Sequence, residues 1–121
     1  MFQTNPFPPE GALPPQAVRF TELRIEPWPD GRRVRVHLEL TPFQQRPNLE
    51  ARILNHQGDE VASTTIIENM DIKLVFTMHI RSPETTNQFT LLASISYEDI
   101  GVVDEGKVVF DLQDIPGEDP Q

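Results

Sequence analysis

The feature that most constrains this chain is a hydrophobic period of two. In residues 33–40, RVRVHLEL, Val34, Val36, Leu38 and Leu40 fall on one side of an extended backbone. Arg33, Arg35, His37 and Glu39 fall on the other. A helix would scatter those four apolar side chains around its axis, whereas a strand gathers them on one face. The same alternation returns in Leu49, Ala51 and Ile53, in Ile72, Leu74, Phe76, Met78 and Ile80, in Phe89, Leu91, Ala93, Ile95 and Tyr97, and in Val108, Phe110 and Leu112. The run AVRFTELRIE changes parity between Phe20 and Leu23, which predicts a bulge near Thr21–Glu22. A β-branched run, EVASTTIIE, follows the turn HQGD and reads as the return arm of a hairpin. Between these runs lie PWPDG, TPFQQRP, ENMD, RSPETTN and the acidic stretch EDIGVVDEG, all read as turns or loops.

Seven short strands, each with one apolar parity, are satisfied by two stacked antiparallel sheets that each hide one face and wet the other. The predicted fold is an all-β, seven-stranded antiparallel sandwich over residues 17–113. Residues 1–16 hold five of the twelve prolines and are expected to form an extended arm. Residues 114–121 are expected to form an acidic tail.

Charge limits the partners. The formal net charge is −9, and residues 98–121 carry eight acids against Lys107 alone. Nucleic acid and anionic membrane are poor partners for such a surface, because phosphate binding needs clustered Lys and Arg. With no cysteine, neither a disulfide framework nor a thiolate metal site can form. The chain shows no cationic-apolar leader and no apolar run long enough to span a bilayer, so a cytoplasmic location is expected.

The stretch SPETTNQFTLLASISY resembles the link into strand F of fibronectin type III domains, where a Pro, a Thr and an aromatic precede an alternating strand. The resemblance to immunoglobulin/fibronectin type III-like sandwiches covers most of residues 17–113. It implies strands A, B, C, C′, E, F and G in chain order, sorted into sheets ABE and C′CFG. Phe89 stands where those domains usually carry tyrosine, so the corner hydrogen bond of that family cannot form there. Trp28 lies in the turn before strand B instead of on it, and is expected to plug that end of the sandwich.

That strand order gives the faces a spatial form. On ABE, Arg33, Arg35, His37, His79 and Arg81 would point outward and make a net-positive face, either a solvated surface or a site for an anion or acidic partner. His37, His79 and Glu39 could serve a zinc or copper ion if the register brought them together. On C′CFG, Leu54, Val61, Leu92 and Val109 would form an apolar patch across four strands, an expected interface with a second copy or another protein. The proline-rich arm, with Phe2, Phe7 and Leu13, is the alternative cover for that patch. At one loop end Glu98, Asp99, Asp104, Glu105 and Asp71 would collect, a composition suited to calcium but without the spacing of a tight calcium loop.

No nucleophile motif, HExxH or phosphate-cradling glycine loop is present, so no catalysis is expected. The function read from the sequence is a non-catalytic interaction module, a candidate homodimer, working through the C′CFG face. The alternative is a domain binding calcium or an anion. No resident cofactor is expected.

Overall fold

The structure, a computed structural model, describes residues 7–29, 31–81 and 88–112. Seven strands follow one turn of 3₁₀ helix at Pro15–Ala17: β1 (Phe20–Pro27), β2 (Arg33–Leu40), β3 (Asn48–Leu54), β4 (Glu60–Ile66), β5 (Lys73–His79), β6 (Gln88–Tyr97) and β7 (Gly101–Asp111). They form a three-stranded sheet in the order β1-β2-β5 and a four-stranded sheet in the order β4-β3-β6-β7, with every pair antiparallel. This is the expected ABE and C′CFG arrangement, strand for strand.

Parity decides what is buried. β2 alternates half-buried and buried residues along its whole length, and β6 does so from Phe89 to Tyr97. Val34, Val36, Leu38 and Leu40 meet Leu49, Ala51, Ile53, Phe89, Leu91, Ala93 and Ile95 in one core. Phe89 stacks on Phe110 across β6 and β7, with ring centroids 5.9 Å apart. The predicted parity change in β1 is a register shift between Phe20 and Glu22.

Two other irregularities were not anticipated. An outward Val61 beside Leu54 requires the HQGD turn to set Asn55 opposite Glu60. Instead Leu54 pairs with Glu60 and Ile53 with Ala62, so Val61 is the extra residue of a bulge. It turns inward and is 6 % exposed. The turn explains the slip. The Asn55 side-chain carbonyl accepts from the amides of Gln57 and Asp59, both at 2.9 Å, and the Asn55 amide donates to the Asp59 carbonyl. These bonds fix a tight loop with Gly58 at φ 89°, one residue shorter than the alternation implied.

The second correction concerns EDIGVVDEG, read as a loop. Only Glu98–Ile100 turn; β7 starts at Gly101 and carries the segment as strand. A bulge at Val103 shifts the register between Ile95 and Ser96. Gly106, read as part of the loop, sits mid-strand for a packing reason: a Cβ there would lie 2.6 Å from Leu23 Cδ2. The absent side chain lets β1 approach β7.

Over its described length the arm is pinned to the β2–β3 loop, and none of it lines the furrow of the four-stranded sheet. Leu13 forms a parallel bridge with Phe43 in the β2–β3 loop, supported by Leu13 N to Pro42 O at 3.0 Å and Gln44 N to Leu13 O at 2.9 Å. Phe43 is 1 % exposed and closes this end of the core. The expected role of Phe2, the RSPETTN link from Ser82 to Asn87 and the tail 114–121 fall outside the described residues.

Candidate functional site

The outer face of the four-stranded sheet is a grid set by strand register. Glu50 of β3 lies opposite Ser94 of β6, and Ser94 opposite Glu105 of β7. One step along, two residues away, Arg52 lies opposite Leu92 and Leu92 opposite Lys107. The next row is Leu54, Thr90 and Val109. Long charged side chains on β3 and β7 thus wall a furrow floored by β6. Its volume is about 390 Å³, and Glu50, Arg52, Leu92, Ser94, Glu105 and Lys107 line it. Arg52 Nε also holds Glu60 Oε1 at 2.9 Å, which fixes that wall toward β4.

Of the four residues expected to form an apolar patch, Leu54, Leu92 and Val109 are on this face and Val61 is not. Val109 is 56 % exposed, and Leu54 and Leu92 are half-buried. Thr90 separates Leu54 from Val109, so the surface is an apolar row beside a charged furrow, not a continuous greasy patch. Reading EDIGVVDEG as a loop takes Glu105 off this face and leaves the acidic row incomplete. The pattern V-x-x-E-x-K-x-V, from Val102 to Val109, carries the signal.

The three-stranded sheet presents the predicted basic face, but its charges are largely engaged. Arg24 Nε contacts Glu22 Oε2 at 3.2 Å, and His37 Nε2 lies 3.0 Å from Glu26 Oε1. The His37 hydrogen bond, aided by the charges of His37, Arg35 and Arg24, holds the Glu26 carboxyl below its ordinary range despite some desolvation. Arg33 stacks 4.1 Å from the centroid of Trp28, with Arg35 at 5.5 Å. Trp28 therefore lies against the outward guanidinium groups of β2, where an end plug had been expected. His37 pairs with Val75 and His79 with Arg33, which puts the two histidines roughly 13 Å apart along β2. They cannot share a metal ion with Glu39. Arg81 follows β5, where its amide donates to Val61 O at 3.1 Å.

The five carboxylates expected to gather at the loop end are dispersed. Glu98 and Asp99 line a concavity of about 300 Å³ with Glu68, Arg46, Ile67 and Tyr97. Asp104 instead accepts from the Phe20 amide at 2.9 Å and ties β7 to β1. Glu105 faces the furrow, and Asp71 is bound through its backbone to the buried Asn69 side chain. The reason is the early start of β7, which moves Asp104 and Glu105 from loop to strand. Among the described residues, no three His, Asp or Glu side chains are placed to hold a metal ion.

Tyr97 ends β6 and donates its hydroxyl to the Gln45 carbonyl at 2.8 Å, locking the β2–β3 loop to the four-stranded sheet. Burial pushes the phenol from its ordinary value of 10 up to about 12. Only the neutral phenol can donate this bond. The stability it adds is therefore complete below about pH 10 and lost as pH rises through about 12. Tyr97→Phe is expected to lose about 1 kcal/mol at neutral pH. Its melting temperature should fall less steeply than the parent's between pH 10 and 12. Parallel pH slopes for the two proteins would contradict this assignment.

No protein-family model and no curated protein matches the chain. Solved structures do match the fold. A β-glucuronidase from Bifidobacterium dentium, complexed with coumarin-3-O-glucuronide, is 15 % identical with a TM-score of 0.61 over 78 % of this chain and 18 % of its own. A glycosyl hydrolase family 2 member from Bacteroides cellulosilyticus is 14 % identical with a TM-score of 0.58 over 78 % of this chain and 15 % of its own. A β-glucuronidase from Ruminococcus gnavus in complex with D-glucuronic acid is 15 % identical, with a TM-score of 0.54 over 79 % of this chain and 16 % of its own. The chain spans less than a fifth of each of these enzymes, and at such identity the likeness is one of fold. The fold is a seven-stranded β-sandwich of immunoglobulin-like architecture.

Proposed function

We propose that this chain is a non-catalytic interaction module whose working surface is the outer face of β4-β3-β6-β7. The observation that carries the reading is the furrow over Leu92 and Ser94, walled by Glu50, Arg52, Glu105 and Lys107 and continued by Leu54 and Val109. A solvated sheet face needs only polar side chains. This one adds half-buried Leu54 and Leu92 and a largely exposed Val109 beside alternating charges, the mixture of apolar area and orienting polar groups found at protein interfaces. Two features favour this face over the basic one: its furrow of about 390 Å³ exceeds the hollow of about 200 Å³ beside Trp28 and Arg35, and it bears two rows of opposite charge that can orient a partner. Glu50 and Glu105 stand two strands apart, roughly 9–10 Å between backbones.

Leu92→Lys tests the reading. A fluorescent tracer of the chain, in concentrated extract of the cells that make it supplemented with unlabelled chain, is expected to sediment faster than a monomer. The Leu92→Lys tracer is expected to sediment as a monomer. Monomeric sedimentation of the parent, or equal rates for both, would contradict the proposal.

A further inference from the structure

We infer that the partner of this face is a second copy of the chain, related by a two-fold axis that lies between the two furrows and runs perpendicular to the strands. The inference rests on the reading of the face as an interaction surface and goes further by fixing the occupant and its register. Four rows cross β3, β6 and β7: Asn48, Ser96 and Val102; Glu50, Ser94 and Glu105; Arg52, Leu92 and Lys107; Leu54, Thr90 and Val109. In order they read apolar-edged, acidic, basic, apolar-edged. A two-fold between the acidic and basic rows exchanges each row with its mirror in that order. Glu50 of one copy then faces Arg52 of the other, Glu105 faces Lys107, and Val102 faces Val109. Val102 and Val109 are each 56 % exposed, so both ends of β7 bring apolar surface to the contact.

The alternative axis is excluded by charge. A two-fold parallel to the strands would place Glu50 over Glu105 and Arg52 over Lys107, two like-charge contacts that each oppose association. The face also differs from the rest of the molecule in balance. The chain carries a net charge of −9, yet the four central charges of this face sum to zero. A basic partner would be matched by an acidic face and an acidic partner by a basic one. Adjacent rows of opposite sign are matched by themselves after one rotation. Identical twisted sheets stack with strands about 30° apart, a displacement the Lys and Arg stems can span. The Arg52 fork can keep Glu60 and still present its outer nitrogens to the partner's Glu50.

Size sets the expected strength. Four strands at about 4.8 Å and three row steps of about 6.8 Å give a face of roughly 400 Å². A standard stable interface buries about 800 Å² per partner. The dimer is therefore expected to be weak and to populate toward about 1 mM chain.

The test is sedimentation equilibrium on the parent, Glu105→Lys, Lys107→Glu and an equimolar mixture of the two variants. Both positions are on the outer face, and thermal melts matching the parent confirm that each variant folds. Each single reversal is expected to weaken association at least about tenfold, because each creates two like-charge contacts per dimer. The mixture is expected to recover parent-like association, since every pair in the mixed dimer is again opposite in sign. A parent that stays monomeric up to about 1 mM, single reversals without effect, or a mixture that fails to recover would each overturn the two-fold arrangement. If the parent alone is monomeric but sediments fast in cell extract, and Leu92→Lys does not, the dimer fails while the interaction face stands.

Discussion

Leu91→Lys is expected to leave no folded protein, while Leu92→Lys, one residue on, costs only about 1 kcal/mol. Leu91 is fully buried and pairs with Ile53 and Val108 in the core, whereas Leu92 is half-buried on the outer face. Lysine at 91 forfeits about 2–3 kcal/mol of apolar burial and adds several kcal/mol for an unpaired charge in the core. A small domain holds only about 5–15 kcal/mol in total. Lysine at 92 keeps its stem against Thr90 and Ser94 and its ammonium in water, and its like charge between Arg52 and Lys107 sets the small cost. Urea denaturation followed by circular dichroism separates the two outcomes. Similar midpoints for both variants would mean that the two faces of β6 are not distinguished as the packing requires.

Phe43→Ala is expected to cost about 3–5 kcal/mol, as large as any single truncation in the sandwich core. This residue belongs to no strand, yet it is among the largest fully buried side chains. It closes the loop end of the core and forms the bridge on which Leu13 sits. Removing the ring leaves a cavity under two connected backbones, which cannot collapse without breaking the Leu13 and Gln44 amide bonds. Hydrogen exchange at those two amides should therefore accelerate more than exchange in β6. A destabilisation below about 1 kcal/mol, or exchange that rises evenly across the protein, would contradict the role given to Phe43.

The sandwich and its two sheets were legible because parity is a strong signal wherever one face of a strand is buried. RVRVHLEL in β2 and FTLLASISY in β6 carry it without interruption, and both sort as the alternation requires. Phe43 was not legible as core, because a loop residue has no period and its burial depends on which chain segment arrives to cover it. Val61 failed for a different reason. Its face depends on the number of residues in the preceding turn, and the hydrogen bonds of Asn55 shorten that turn by one. Asp104 and Glu105 failed because composition outweighed pattern. Two acids and a glycine look like a loop, yet Val102, Val103, Val108 and Val109 supply the β-branched surface that extends β7 down to Gly101. The loop reading removed Glu105 from the sheet, and the acidic row is complete only when β7 is paired against β6. The glycine, too, had a structural purpose that no local rule reveals: it makes room for Leu23, a residue of the opposite sheet.

The central claim is that the outer face of the four-stranded sheet, and not that of the three-stranded sheet, meets other protein. Site-specific photo-crosslinking in the cells that make the chain tests it most directly. A photoreactive side chain replaces Leu92 in one protein and Val75 in another; Val75 is 54 % exposed on the outer face of β5. Irradiation is expected to give a discrete protein adduct, to a second copy or to a partner, from position 92 and none from position 75. Adducts from position 75 alone, or none from position 92, would contradict the account.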